Sequence, residues 1–160
     1  MEYNIGEYVV HNSQGICKIV EKTNMYNKDY YKLTPSTSNT TVYVPIDNTS
    51  SIKHIMSVKE ADELLKYMKT IDSSCVDNSK QRRDTYQKKL NSGNKKDLAY
   101  LAKSLYFLKV EKSSKNQKFS DLDNSILTKA SDILFSELSL VYDVEKDDVL
   151  DFILDRMESL

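Results

Sequence analysis

The 160-residue chain has no tryptophan, three glycines, two prolines, two cysteines and two histidines. Each scarcity removes a class of chemistry. Cys17 and Cys75 lie far apart and outside any CxxC pattern, and His11 and His54 are the only histidines, so converging metal ligands are not supplied. The sequence also contains no HxxxH, GxSxG or P-loop arrangement. Asp147 and Asp148 are adjacent on a helical stretch and point in different directions, which makes a solvated face rather than a carboxylate pair. The reading is therefore non-enzymatic, with no cofactor. No apolar run approaches the roughly 20 residues of a membrane span, so no membrane partner is expected. The N-terminus shows neither a basic leader nor a small-residue cleavage site, which leads to the expectation of a cytoplasmic protein with reduced thiols. Repeats and low-complexity tracts are absent as well.

What is present is charge, unevenly spread. Residues 1–55 carry five lysines against five acids, whereas residues 56–120 have a net charge of +7 and residues 121–160 a net charge of −8. A neutral head, a basic middle and an acidic tail point to separate tasks for separate segments. The near-zero charge of the whole chain conceals a nucleic-acid partner that the middle segment suggests.

The head reads as strands. Tyr8-Val9-Val10, Gly15 to Glu21, Tyr30 to Leu33 and Thr41 to Pro45 are short, rich in β-branched and aromatic residues, and separated by polar turns. Their spacing fits a small antiparallel barrel better than a βαβ unit, and Pro45 should end the last long strand. Alternation sets Tyr43 on the face opposite Val42 and Val44, exposed if the valines point inward. Such an outer or edge position suits a protein partner.

After Ile55 the period changes. Ser57-Val58-Lys59-Glu60 is a capping box, followed by Ala61, Leu64, Leu65 and Met68 on one helical stripe. Residues 71–79 form a polar connection. A charged stretch from Lys80 to Leu90 is broken at Asn91 to Asn94, where Gly93 suits a left-handed turn. Asp97 to Leu108 predicts an apolar helix with its stripe on Leu98, Leu101, Leu105 and Leu108. A polar loop over 112–118 then leads to a long helix through Ile126, Leu127, Ala130, Ile133, Leu134, Leu138 and Val141, and a last helix covers 144–157. The fold class expected is α+β in two domains: a Tudor- or SH3-like barrel over 1–55 and an all-α bundle over 56–160.

Between Lys80 and Lys118 there are twelve basic residues against three acids. Lys80, Arg82, Arg83, Lys88, Lys89, Lys95, Lys96, Lys109 and Lys112 are the candidate phosphate contacts, many of them near helix ends and the Gly93 turn. Neutralising phosphates releases counterions and gives salt-sensitive, largely sequence-independent affinity. Aromatic stacking motifs are lacking here, so duplex DNA is preferred to single strands. An ordinary solvated lysine-rich face is the competing reading.

Several segments together resemble the CarD-like bacterial transcription regulators. Tyr3 to Val10 with Gly15 resembles the family's barrel opening, Thr41 to Asn48 its xVxVPxxN strand and exit, and Lys89 to Asn94 its KLxSGD turn. The run from Leu127 through Ala130, Ile133, Leu134, Glu137, Leu138 and Leu140 resembles its LxxAxxILxxELxL helix. Order and spacing over residues 3–142 carry the resemblance. It implies a Tudor-like barrel bound to the β subunit of RNA polymerase, with Tyr43, Asn24 and Met25 as the docking residues. It further implies a helical domain at the upstream edge of the promoter bubble, where the family inserts a tryptophan into the minor groove and stabilises the open complex. Ser79 stands at that tryptophan position, and Tyr86 is the nearest aromatic residue. Arg82 is kept from a basic pair whose other member is Gln81, Leu122-Asp123-Asn124 replaces a glycine-glutamate-lysine run, and Tyr43 stands where relatives often carry an arginine.

The expectation is thus a regulator, monomeric when free and associated with the nucleoid through polymerase, that docks on the β subunit and holds promoter DNA by backbone electrostatics. A protein-docking module with little DNA binding and a self-associating structural protein are the alternatives.

Overall fold

The computed structural model describes residues 2–72 and 79–160, apart from the Ser79 side chain. The chain divides into two units, Met1–Ile55 and Met56–Leu160.

The first unit is one antiparallel sheet of β1 (Tyr8–His11), β2 (Gly15–Met25), β3 (Lys28–Pro35), β4 (Val42–Pro45) and β5 (Ile52–His54), in the order β4-β3-β2-β1-β5. Alternation sorts the side chains. Cys17, Ile19, Tyr31, Leu33 and Val44 are buried together with Val9, Ile52 and Tyr3, while Tyr43 points outward as its neighbours Val42 and Val44 require. A bulge between Ile19 and Glu21 shifts the register of β2 and leaves Val20 exposed. Tyr3 pins the N-terminal segment across the core: its backbone N–H donates to Tyr31 Oη at 3.1 Å and its hydroxyl donates to the Ile52 carbonyl at 3.4 Å. Cys17 is a free thiol whose pKa burial pushes up, so it behaves as a small core residue. Cys75 lies outside the described residues.

Two features of the sheet differ from the sequence reading. β2 continues past Glu21 to Met25 because it pairs with β3 up to a two-residue turn, Tyr26-Asn27, in which both residues are left-handed (φ 52° and 61°). β5 has only three residues, Ile-Lys-His, too few to show a period; pairing with β1 makes it a strand.

The second unit consists of α1 (Val58–Thr70), α2 (Ser79–Ser92), α3 (Lys95–Ser114), α4 (Asp121–Tyr142), a 3-10 turn (Lys146–Asp148) and α5 (Val149–Ser159). The capping box at α1 is formed, with Glu60 N–H donating to Ser57 Oγ at 3.1 Å and Ser57 N–H to Glu60 Oε2 at 2.8 Å. Gly93 takes the left-handed turn (φ 67°), and Asn94 then caps α3 by accepting from Lys96 and Asp97 N–H groups. α3 begins two residues before the expected Asp97 and runs on to Ser114, so most of the predicted loop is Lys115 to Ser120. Val110, Glu111 and Lys112 continue the helix with exposed or half-buried side chains, without the apolar stripe that pattern reading follows.

α3 packs on two fronts. Leu98, Leu101 and Leu105 join Tyr86 of α2 and Ile126, Leu127 and Ala130 of α4. Ala99 and Ala102 join Leu64, Leu65 and Met68 of α1, Leu134 and Leu138 of α4, and Val149 and Ile153 of α5. Burying each such aliphatic side chain contributes about 1.5–3 kcal/mol.

An ion pair closes the second front. Arg156 Nε and its terminal nitrogen donate to the two carboxylate oxygens of Asp62 at 2.6 and 2.8 Å, and Tyr142 Oη donates to Oδ1 at 2.7 Å. The Arg156 hydrogen bonds, with help from Tyr142, hold the Asp62 carboxyl at about 2, below its ordinary 3.8. A carboxylate with a depressed folded-state pKa stabilises the fold above its unfolded pKa and loses that contribution as protons bind. Thermal stability of the helical unit should therefore fall as pH drops from near 3.8 toward 2. Melts of Asp62→Asn across that window should show a lower midpoint at neutral pH and a flatter acid decline than the wild type.

Candidate nucleic-acid interface

α2 carries the densest basic sequence, and its inner stripe decides which of those side chains remain outside. Arg82, Tyr86 and Leu90 recur one turn apart and face α3 and α4. Tyr86 is buried with its ring edge-to-face on Tyr100, 6.0 Å between centroids. It is a core residue and offers no wedge to a duplex. Arg82 is 8% exposed, and its guanidinium donates to Asp123 Oδ2 at 2.9 Å. The expected phosphate contact at Arg82 is therefore corrected: the position lies on the packed face of the helix, so its charge answers a buried carboxylate.

Several expected lysines also have partners within the helical unit. Lys89 Nζ lies 3.3 Å from Asp97 Oδ1 and 4.9 Å from the centre of the Tyr100 ring, which ties the end of α2 to the first turn of α3. Lys95 pairs with Glu137, a buried carboxylate of α4 that also accepts the Met56 N–H at 2.7 Å. Lys96 sits over Tyr67. Lys109 donates to Asn124 Oδ1 at 3.2 Å and sits over Phe119. Lys103, another member of the basic stretch, donates to the Met68 and Ile71 carbonyls and closes the end of α1.

Arg83 and Lys88 are exposed on the outer side of α2, and Lys112 is half-buried on α3; none of the three has an ion pair among the described residues. Lys80 is exposed in the first turn of α2. Ser79 is the first residue of α2, and its side chain lies outside the described residues. The cationic surface is narrower than the sequence suggests and centres on the outer face of α2.

In the barrel unit, Tyr43 lies on the edge strand β4, 43% exposed, with its ring edge-to-face on Tyr30 at 6.5 Å. Asn24 and Met25 end β2 beside the hairpin tip, where Asn24 Nδ2 donates to Asp29 Oδ1 at 2.9 Å. β3 lies between β2 and β4, so the three residues sit on strands that are not neighbours and do not form one cluster. The residue at the tip, Tyr26, is 96% exposed.

Sequence reasoning missed Tyr106, Phe107 and Val110, three large apolar side chains exposed on α3. Their signal was available: they are apolar residues outside the stripe that Leu98, Leu101 and Leu105 define. Among the described residues no group of His, Cys, Asp or Glu could hold a metal ion, and no helix is long and apolar enough to cross a membrane.

Comparison with protein families gives two matches. Residues 3–56 match the CarD-like/TRCF RID domain, and residues 63–154 match the CarD C-terminal domain. No curated protein matches the chain significantly.

The Arg82–Asp123 pair makes a prediction of its own. Losing one partner strands a buried charge, which costs about 3–5 kcal/mol, whereas replacing both by apolar residues is close to neutral. In urea unfolding, Arg82→Met and Asp123→Leu should each lower the midpoint sharply, and the double variant should recover most of the loss.

Proposed function

This chain belongs to the CarD-like family of RNA polymerase-interacting transcription regulators, and from that premise we propose a division of labour between its two units. Members of the family are non-enzymatic regulators. The barrel unit docks on the polymerase β subunit through the outer side of β4, with Tyr43 at its centre and Asn24 and Met25 contributing from β2. The helical unit touches promoter duplex through Arg83, Lys88 and Lys80 on α2, joined by Lys112 on α3, and alters the lifetime of the open complex.

The observation that carries this reading is the outer face of α2, where Arg83 and Lys88 are exposed and have no ion pair among the described residues. Cations held there neutralise phosphates as point charges and carry no base information. Because Tyr86 is buried and position 79 is a serine, base stacking by an aromatic wedge on α2 is not part of the proposal. Grip on the duplex is electrostatic, with polymerase docking supplying the position.

A second reading has a specific observation in its favour. Arg82, Lys89 and Lys95 are paired with carboxylates inside the helical unit, which thins the cationic surface and suits a docking module with little DNA affinity. A salt series separates the two. Each phosphate contact contributes about 0.9 to the slope of log affinity against log salt, so Arg83→Ala with Lys88→Ala should reduce the slope by about 2 for any duplex sequence. Undetectable duplex binding at low salt would leave the docking module standing.

Docking is tested separately: Tyr43→Ala should weaken capture of the isolated β subunit by roughly tenfold, as for an aromatic interface anchor. The combined reading is checked by open-complex lifetime on a promoter template, which wild-type protein should change and the Tyr43→Ala variant should not.

A further inference from the structure

Two exposed apolar patches of the helical unit are used neither by its core nor by the polymerase and DNA surfaces above. The first is on α3. Tyr106 and Val110 are about half exposed and, with Leu127 of α4, line a groove of about 510 Å³ whose remaining walls are Lys109, Ser113 and Ser114. Phe107 continues the patch, edge-to-face with Tyr106. Lys109 and Lys112 place positive charge along the same stretch of helix, and the nearby Glu111 is already matched by Lys115 at 2.9 Å.

The second patch is on α5. Leu150 and Leu154 are 41% and 52% exposed although they sit on an amphipathic helix whose other side, Val149 and Ile153, is buried. Asp147, Asp151, Asp155 and Glu158 flank them, all exposed and none in an ion pair among the described residues. This is part of the segment whose net charge is −8. An acidic edge of that kind repels a duplex, so the proposed DNA contact leaves it without a task.

We propose that the two patches are the two halves of one interface: the acidic Leu150–Leu154 edge of α5 from one chain lies in the lysine-flanked α3–α4 groove of a second copy. The patches match in chemistry and pitch. Leu150 and Leu154 are one helical turn apart, as are Tyr106 and Val110 along the groove, so an amphipathic helix can lie in it. The carboxylates that flank the leucines then face Lys109 in the groove wall, with Lys112 farther along the same helix. Within one chain the match is not made, because Leu150 and Leu154 lie on the exposed side of α5 and the groove is lined by residues of α3 and α4. Each copy presents one groove and one α5, so the contact is head-to-tail and leaves a free end of each kind. The unequal charge of residues 56–120 and 121–160 is then the complementarity of two surfaces that meet between molecules.

The test is sedimentation velocity of the full chain over a concentration series at low and high salt. Wild type should associate at low salt and dissociate at high salt. Lys109→Glu with Lys112→Glu, and separately Asp151→Lys with Asp155→Lys, should each sediment as monomer. Mixed in equal amounts, the two variants should associate again, because an intact α5 meets an intact groove and the reversed groove meets a reversed α5. Leu154→Ser, at an exposed position that leaves the core untouched, should weaken association roughly tenfold and keeps the test decisive if a charge-reversed chain folds poorly. Wild type that stays monomeric at low salt overturns the proposal, as does a mixture that fails to pair. A monomeric wild type whose Lys109→Glu variant loses duplex affinity assigns the groove to DNA instead.

Discussion

A carboxylate taken out of water must bring a positive partner with it, and α4 buries two. Asp123 and Glu137 lie 14 residues apart on that helix, a rise of about 21 Å, and both side chains are almost fully enclosed. Arg82 answers the first from α2; Lys95 and the Met56 N–H answer the second from the start of α3 and the start of the unit. Apolar packing alone allows helices to slide or rotate against one another at modest cost. A buried charge does not, because its removal from its partner costs several kcal/mol. The two pairs thereby set where α2 and α3 lie along α4, and in consequence which side of α2 is turned outward.

That constraint reshapes the basic segment. A run of lysines and arginines is commonly one continuous electropositive face, but here the bundle draws charge inward at several points. Lys95 occupies the first turn of α3, where the helix dipole disfavours a cation, and the buried Glu137 compensates for it. Lys89 and Lys103 close helix ends, and Lys96 and Lys109 cover tyrosine and phenylalanine rings. Arg83 and Lys88, on the outer side of α2, have no ion pair among the described residues. Structural and functional uses of lysine compete within a single helical segment, and residue-level geometry divides them.

The barrel solves a different problem with the same economy of residues. Tyr3 fills the core, bonds β3 through Tyr31 and bonds β5 through the Ile52 carbonyl, so a residue outside any strand links two strands of the sheet. With Val44 held inside, Tyr43 has no choice but the outer side of β4. The tight Tyr26-Asn27 turn holds β2 and β3 in register up to their ends and thereby positions Asn24 and Met25.

Much of this was legible in the sequence, wherever a local rule acts alone. Period two placed four of the five strands and the outward side of Tyr43, period 3.6 placed the apolar stripes of α1, α3 and α4, and the capping box and Gly93 marked their turns correctly. The sequence also determined the charge asymmetry. Tertiary structure decided the rest. β5 is a strand only because β1 pairs with it, and α3 extends to Ser114 although its last turns have no stripe to reveal them. Arg82 reads as a surface cation in a basic run and becomes an internal one because Asp123 is brought opposite it. Tyr86 is closed off by Tyr100, whereas Tyr106 and Phe107, equally apolar on paper, are left in the open. The physical reason is common to all of these: a side chain's burial and its partner depend on which residues the fold brings near it from distant parts of the chain, and composition records neither.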